Sequence, residues 1–290
     1  MLPQTRRDRY TFVRLIRILI YLDTRRSTMI DHPGDTEDGA RVDTVRTAET
    51  MFDIVEHLDN ENGASLATLA GELNYAKSTV HRHLQTLEAL GYVVHRDGGY
   101  HVGLRFLEIG VTARSKYRGY DLVRQKVEEI AEMTGERAQF FVEEHGKIVY
   151  LARAIGDQAV QTDPGIGSRI PLYAASAGKA ILAEFPEPEL SDMLERMSFD
   201  PVTEHTITDP DVLRAEIDEG RDRGYYFNRE ESLRGTHAVG VAICGPDGDV
   251  IGGLSVTGPS HRLNGERLES ELPDLLLGAA NELELNIAHS

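Results

Sequence analysis

Lys77-Ser78-Thr79-Val80-His81-Arg82-His83-Leu84-Gln85-Thr86-Leu87-Glu88-Ala89-Leu90-Gly91 carries the helical pattern from which the fold of the N-terminal third follows. Val80, Leu84 and Leu87 recur at i, i+4 and i+7, the spacing of one buried helix face. Ser78, Arg82, Gln85 and Ala89 fall on the opposite face, which carries hydrogen-bonding or small side chains and no acid. Such a face fits a major groove about 12 Å wide and meets base edges there. Lys77 and Thr79 stand in the first turn, where side chains and backbone N–H groups together hold a phosphate. Gly91 ends the helix in the usual position just past its C-terminus.

Working outward, Ser65 is the expected N-cap of a short helix that turns Leu66, Leu69, Ala70 and Leu73 inward, and Asn74-Tyr75-Ala76 is the turn. An earlier helix over Thr47 to Leu58 buries Met51, Ile54, Val55 and Leu58. After Gly91, Tyr92 to Arg96 and Tyr100 to Val102 are two β-rich runs around Asp97-Gly98-Gly99, which reads as a hairpin. A hairpin directly after a recognition helix is a wing, with Arg96 near its tip. Residues 65 to 103 therefore predict a winged helix-turn-helix, with Lys77, Ser78, Thr79, His81, Arg82, Gln85 and Arg96 as candidate contacts to double-stranded DNA. The competing reading is a helix-turn-helix used only for protein interaction.

Charge qualifies this expectation. The 290 residues carry a formal charge of -17, a poor composition for a general nucleic-acid coat protein. Within residues 73 to 105, however, Lys77, Arg82, Arg96 and Arg105 face only Glu88 and Asp97, while the acids cluster around the first helix. A mildly basic face on an acidic body predicts modest DNA affinity with a shallow salt dependence. Only five of the basic residues are lysine. A lysine-poor acidic chain is similar to proteins of a salt-rich cytoplasm; a GC-rich genome with an acidic surface is the alternative.

The single cysteine, Cys244, excludes an intrachain disulfide and a cysteine-rich zinc site, and suits a reducing cytoplasm. It reads as packed rather than reactive. No apolar run is long enough to cross a bilayer, so no membrane partner is expected. Residues 1 to 28 hold seven arginines against two aspartates. They read either as a basic arm or as sequence upstream of a true start at Met29. Residues 30 to 43 read as a disordered lead-in, which makes residues 1–41 a segment outside the folded domains.

The ordered motifs resemble the isocitrate-lyase-regulator (IclR) family of transcription factors, in an acidic form similar to those of salt-adapted archaea. The resemblance runs through Val42 to Glu49, Leu69 to Leu73, Ala76 to Leu87 and Gly91-Tyr92-Val93. It continues in Ile170 to Ala180, Arg223 to Phe227, Ala238 to Ala242 and Gly253 to Pro259. His83 departs from the leucine expected there. The resemblance implies an α+β chain: a winged helix over 42–103, a linker helix over 104–118, and over 119–290 an effector-binding domain resembling GAF domains. That domain has a central antiparallel sheet flanked by helices. Patterning agrees, with an amphipathic helix over Tyr117 to Thr134, strands at Phe140 to Glu144 and Ile148 to Ala152, and helices at Ser176 to Phe185, Glu187 to Met197 and Asp211 to Arg223. Strands at His237 to Cys244 and Val250 to Thr257 and a last helix from about Asn264 to Ile287 complete it.

The resemblance also implies effector contacts at Ser176, Ala177, Asn228, Ala238, Ser255 and Thr257. A helix starting at Ser176 favours an anion, hence a small carboxylate effector. Ser255 and Thr257, at i and i+2, share a strand face; the plainer reading is that they satisfy a sheet edge or the loop backbone. Ala177-Gly178-Lys179-Ala180 is reminiscent of a phosphate loop, but Tyr173 and Ala180 break that pattern. His81 and His83 diverge on their helix and cannot share a metal. No catalytic constellation, metal site or cofactor site is expected. The chain therefore reads as a ligand-responsive, DNA-binding homodimer, with a tetramer implied by the resemblance. The alternative is a metabolite-processing enzyme that uses the helix-turn-helix for targeting or oligomerisation.

Overall fold

The computed structural model describes residues 44–159 and 165–289. The two readings of residues 1 to 28, and the lead-in, lie outside the described residues. The chain divides into two compact units between Asp121 and Leu122.

In the first unit, α1 (Arg46–Asn60), α2 (Leu66–Glu72) and α3 (Lys77–Ala89) precede a hairpin of β1 (Val93–Arg96) and β2 (Gly99–Val102). Ile54, Leu58, Leu69, Val80, Leu84, Leu87 and Val93 form its core. Ser65 caps α2, its hydroxyl accepting from the Thr68 N–H at 3.1 Å. Asp97 and Gly98 both adopt positive φ, 54° and 78°, the backbone twist a two-residue hairpin turn requires. Ala64 adds a bridge to Tyr100 and so anchors the wing to the start of the helix pair. A further helix, α4 (Arg105–Ser115), buries none of its residues. Its first turn is tied down: Arg105 donates to the Leu90 carbonyl at 2.9 Å, and Phe106 packs 4.9 Å from the Tyr92 ring. Gly119, at φ 70°, separates it from α5 (Tyr120–Thr134), so α5 starts three residues later than periodicity alone predicts.

The second unit is built on a six-stranded antiparallel sheet in the order β5-β4-β3-β8-β7-β6. The strands are β3 (Arg137–Glu144), β4 (Lys147–Ile155), β5 (Arg169–Pro171), β6 (Tyr226–Arg229), β7 (Thr236–Cys244) and β8 (Val250–Pro259). A 3-10 turn (Leu172–Ala174) leads into α6 (Ser176–Glu184), followed by α7 (Glu187–Arg196) and α8 (Pro210–Arg223). The sequence reading did not include β5, β6 or the 3-10 turn, each only three or four residues long. It also read one C-terminal helix where a π-helical turn (Arg267–Glu271) leads into α9 (Leu272–Ala288). Pro273 explains the wider turn, because it has no N–H to complete a regular ladder.

Strand β7 shows why helices cover both faces. Val239, Val241 and Ile243 are buried on one face, and Ala238, Gly240 and Ala242 alternate onto the other. Helix α6 lies directly on that second face. A Cβ at Gly240 would come within 2.4 Å of the Ala177 nitrogen, and one at Gly253 within 2.9 Å of the Ala177 oxygen. A Cβ at Gly178 would meet the Leu172 oxygen at 2.1 Å. Gly178 is thus a packing feature between α6 and the turn before it.

Gly240→Ala is expected to lower the denaturation free energy of the second unit by about 1–3 kcal/mol through overpacking. Gly71→Ala, where an added Cβ meets nothing within 4 Å on helix α2, should raise stability by about 0.5–1 kcal/mol. Urea denaturation of the two variants checks both signs.

Candidate functional site

Two groups of residues concern function, one in each unit. In the first, Lys77, Ser78, His81, Arg82, Gln85 and Arg96 are exposed, and Thr79 is half-buried. Burying Val80, Leu84 and Leu87 against α1 and α2 leaves the other face of α3 outward. The residue before α3 is Ala76, which supplies no side-chain cap. The α3 N-terminus therefore presents its first backbone N–H groups together with Lys77, whereas α2 has Ser65. The turn is braced from behind by the Tyr75 hydroxyl, which donates to Asp53 at 2.5 Å; that carboxylate and burial hold the Tyr75 phenol above its ordinary range.

In the second unit, strand register gathers the predicted effector residues. Asn228, Ala238 and Thr257 lie opposite one another across β6, β7 and β8, and Arg137 of β3 completes the row. The next row on the same face is Tyr226, Gly240, Ser255 and Gln139, with Arg153 of β4 beyond. Because α6 starts over Gly240, Ser176 and Ala177 stand above the second row. All six predicted residues therefore sit around one end of one sheet face. Strand β8 is interior to the sheet, so Ser255 and Thr257 are not satisfying a sheet edge.

The structure gives Asn228 a definite task. Its Nδ2 donates to the Ala174 carbonyl at 2.6 Å and to the Ser232 hydroxyl at 2.9 Å, and its Oδ1 accepts from the Glu231 N–H. It ties the 3-10 turn before α6 to the loop after β6. Ala238 offers a methyl group only, so it contributes shape.

Sequence reading assigned Lys179 simply to a helix and missed its surroundings. Its Nζ is fully buried and bonds Glu216 of α8 at 2.6 Å and both carboxylate oxygens of Glu231 at 2.9 Å. Burial pushes the Glu231 carboxyl above the usual carboxylate range, opposed by the Lys179 charge. Glu231 Oε1 also accepts from the Arg229 N–H. The network fastens α6, α8 and the loop after β6 at the α6 end that faces the two rows. No local sequence signal joins residues 37 and 52 positions apart.

Gln139 and Arg137 were also missed. Both are buried, and the Gln139 Nε2 has no hydrogen-bond partner among the described residues. Their signal was present: polar Arg137 and Gln139 alternate with apolar Ala138 and Phe140 on a buried strand. Cys244 lies at the end of β7, where burial and then the Glu184 carboxylate push its thiol up to about 12. Among the described residues, no group of three or more His, Cys, Asp or Glu is arranged to hold a metal.

Comparison with known proteins adds independent findings. The family model described as IclR helix-turn-helix domain matches residues 47–97, and that described as Bacterial transcriptional regulator IclR C-terminal matches residues 120–285. The chain is 31% identical over 239 residues to a probable HTH-type transcriptional regulator ArcR of Halobacterium salinarum, covering 81% of this chain and 91% of the relative. It is 30% identical to the HTH-type transcriptional regulator KdgR of Escherichia coli, covering 85% and 94%. The crystal structure of the Thermotoga maritima IclR superposes with a TM-score of 0.72 at 29% identity, covering 83% of this chain and 98% of that one.

Lys179→Met leaves Glu231 buried without its cation and is expected to cost about 3–5 kcal/mol at neutral pH. Without the lysine, the folded state holds a proton on Glu231 to higher pH than the unfolded chain does. The variant's stability should therefore fall as pH rises above the ordinary carboxylate range. Urea denaturation at pH 5 and pH 8 checks this: a larger deficit at pH 8 is expected. Cys244 should resist alkylation at pH 8 in the folded protein and react on unfolding, as followed by mass spectrometry.

Proposed function

The chain belongs to the IclR family of transcriptional regulators, and we propose that a small carboxylate-bearing metabolite at the α6 N-terminus modulates its hold on operator DNA. It is a DNA-binding regulator with a C-terminal effector-binding domain, and the enzyme reading is set aside because the family and the curated relatives are regulators.

One observation carries the effector proposal: α6 begins directly above a sheet row that holds Ser255, beside the row of Thr257, Ala238 and Asn228. Helix N-terminal N–H groups favour an anion, and hydroxyls on one strand face supply its remaining hydrogen bonds. We assign residues 42–103 to DNA binding, 104–118 to the linker and 119–290 to effector binding. On the DNA side, Ser78, Arg82 and Gln85 read base edges, while Lys77, Thr79, His81 and Arg96 position the backbone.

A single helix-turn-helix contacts too few base pairs to select one site in a genome, so the working unit is a dimer on a pseudo-palindrome. Exposed Leu104, Leu107 and Val111 at i, i+3 and i+7 along the start of α4 support pairing of two copies; a tetramer would be a pair of such dimers. Effector binding then shifts the balance between dimer arrangements with different half-site spacing. No helix among the described residues is long and apolar enough to cross a membrane, and a regulator of this kind works where the DNA is, in the cytoplasm.

An electrophoretic shift with the gene's own upstream DNA tests this reading. Arg82→Ala with Gln85→Ala should lose sequence discrimination while folding stays intact; an unchanged footprint would remove this face from the interface. The salt dependence should be shallow, because few phosphates are neutralised. A slope as steep as that of about ten phosphate contacts would contradict it.

A further inference from the structure

We propose that Gln139 is a specificity-determining residue of the effector pocket, and that the effector is an elongated acid. One end would be a carboxylate on the α6 N-terminal N–H groups, and the other an acceptor oxygen on the Gln139 amide. This rests on the reading of the α6 N-terminus as the anion site, and it adds a second, distant anchor.

Gln139 is 2% exposed and its Nε2 has no hydrogen-bond partner among the described residues. A buried amide left unpaired is costly, and the cost is recovered when a ligand supplies the acceptor. Strand register aims Gln139 at the α6 side of the sheet, because it lies opposite Ser255, which lies opposite Gly240 beneath Ala177.

The same register sets the ligand's length. Gly240 and Gln139 are two strands apart, so their backbones stand roughly 10 Å apart at an interstrand spacing of about 4.8 Å. Hydrogen bonds of roughly 3 Å at each end leave acceptor positions about 4 Å or more apart. That exceeds the separation of neighbouring oxygens in a two- or three-carbon acid and suits an acid of four to six carbons. Ser255 lies midway and can bond the intervening segment.

The test is calorimetric titration of the full chain with pyruvate, butyrate, 4-hydroxybutyrate and succinate. Wild type should bind succinate or 4-hydroxybutyrate at least about tenfold more tightly than butyrate or pyruvate, the loss expected for one unmade buried hydrogen bond to a polar ligand. Gln139→Leu should bring the preference to within about threefold and should not lower the melting temperature of the ligand-free protein. Gln139→Met, of similar length and unbranched, should behave alike. A preference for the distal oxygen that survives both substitutions overturns the proposal. So does a melting temperature lowered by several degrees in both variants, which would make Gln139 a structural residue. If wild type binds butyrate or pyruvate as tightly as the longer oxygen-bearing acids, the anion site stands and the distal anchor falls. If it binds none of the four acids, the anion site falls with it.

Discussion

The close seating of α6 on the sheet is the constraint on which the second unit depends. A helix can rest its N-terminus on two adjacent strands only where those strands present no Cβ, and Gly240 and Gly253 supply that bare surface beneath Ala177. Gly178 lets the same helix approach the preceding turn. The price of such an approach is a helix start with few side chains to hold it. Two polar networks compensate: Asn228 ties the Ala174 carbonyl to the loop after β6, and Lys179 ties α6 to Glu216 and Glu231. Both are buried, so both are rigid while complete and costly when broken. The outcome is a helix N-terminus held in place above polar groups of β3 and β8.

The first unit meets a different constraint. Its chain is acidic, yet its function requires approach to a polyanion. The sequence resolves this by placing acids on and around α1 and keeping the outward face of α3 free of them. Uncapped N–H groups at the α3 start and the exposed Arg96 on the wing leave phosphate-binding chemistry available without a large basic patch.

Much of this was legible in the sequence, for identifiable reasons. The helices of the first unit announced themselves because Val80, Leu84 and Leu87 repeat on a helical period and because Ser65 and Gly91 mark ends. The long strands β7 and β8 were readable as apolar runs around a Gly-Pro-Asp-Gly turn. Short elements were not: β5 and β6 are strands only because longer neighbours pair with them. The candidate pocket was legible through family resemblance, which pointed to Ser176, Ala177, Asn228, Ala238, Ser255 and Thr257. Gln139 carried a signal, a polar residue alternating with apolar ones, but only strand register places it beside Ser255; the Lys179 network carried none, because its partners lie 37 and 52 residues away. Asn228 needed the structure for another reason: its amide is engaged in holding the loop, which residue type alone does not reveal.

Linkage makes coupling between DNA and effector measurable in one experiment. If an acid bound at α6 alters the hold on the operator by some factor, the operator must alter the affinity for that acid by the same factor. The acid's dissociation constant is therefore to be measured twice on the full chain, free and saturated with operator DNA. Two different constants are expected, with a ratio equal to the shift in operator affinity caused by the acid. Identical constants, with the acid demonstrably bound in both cases, would contradict it.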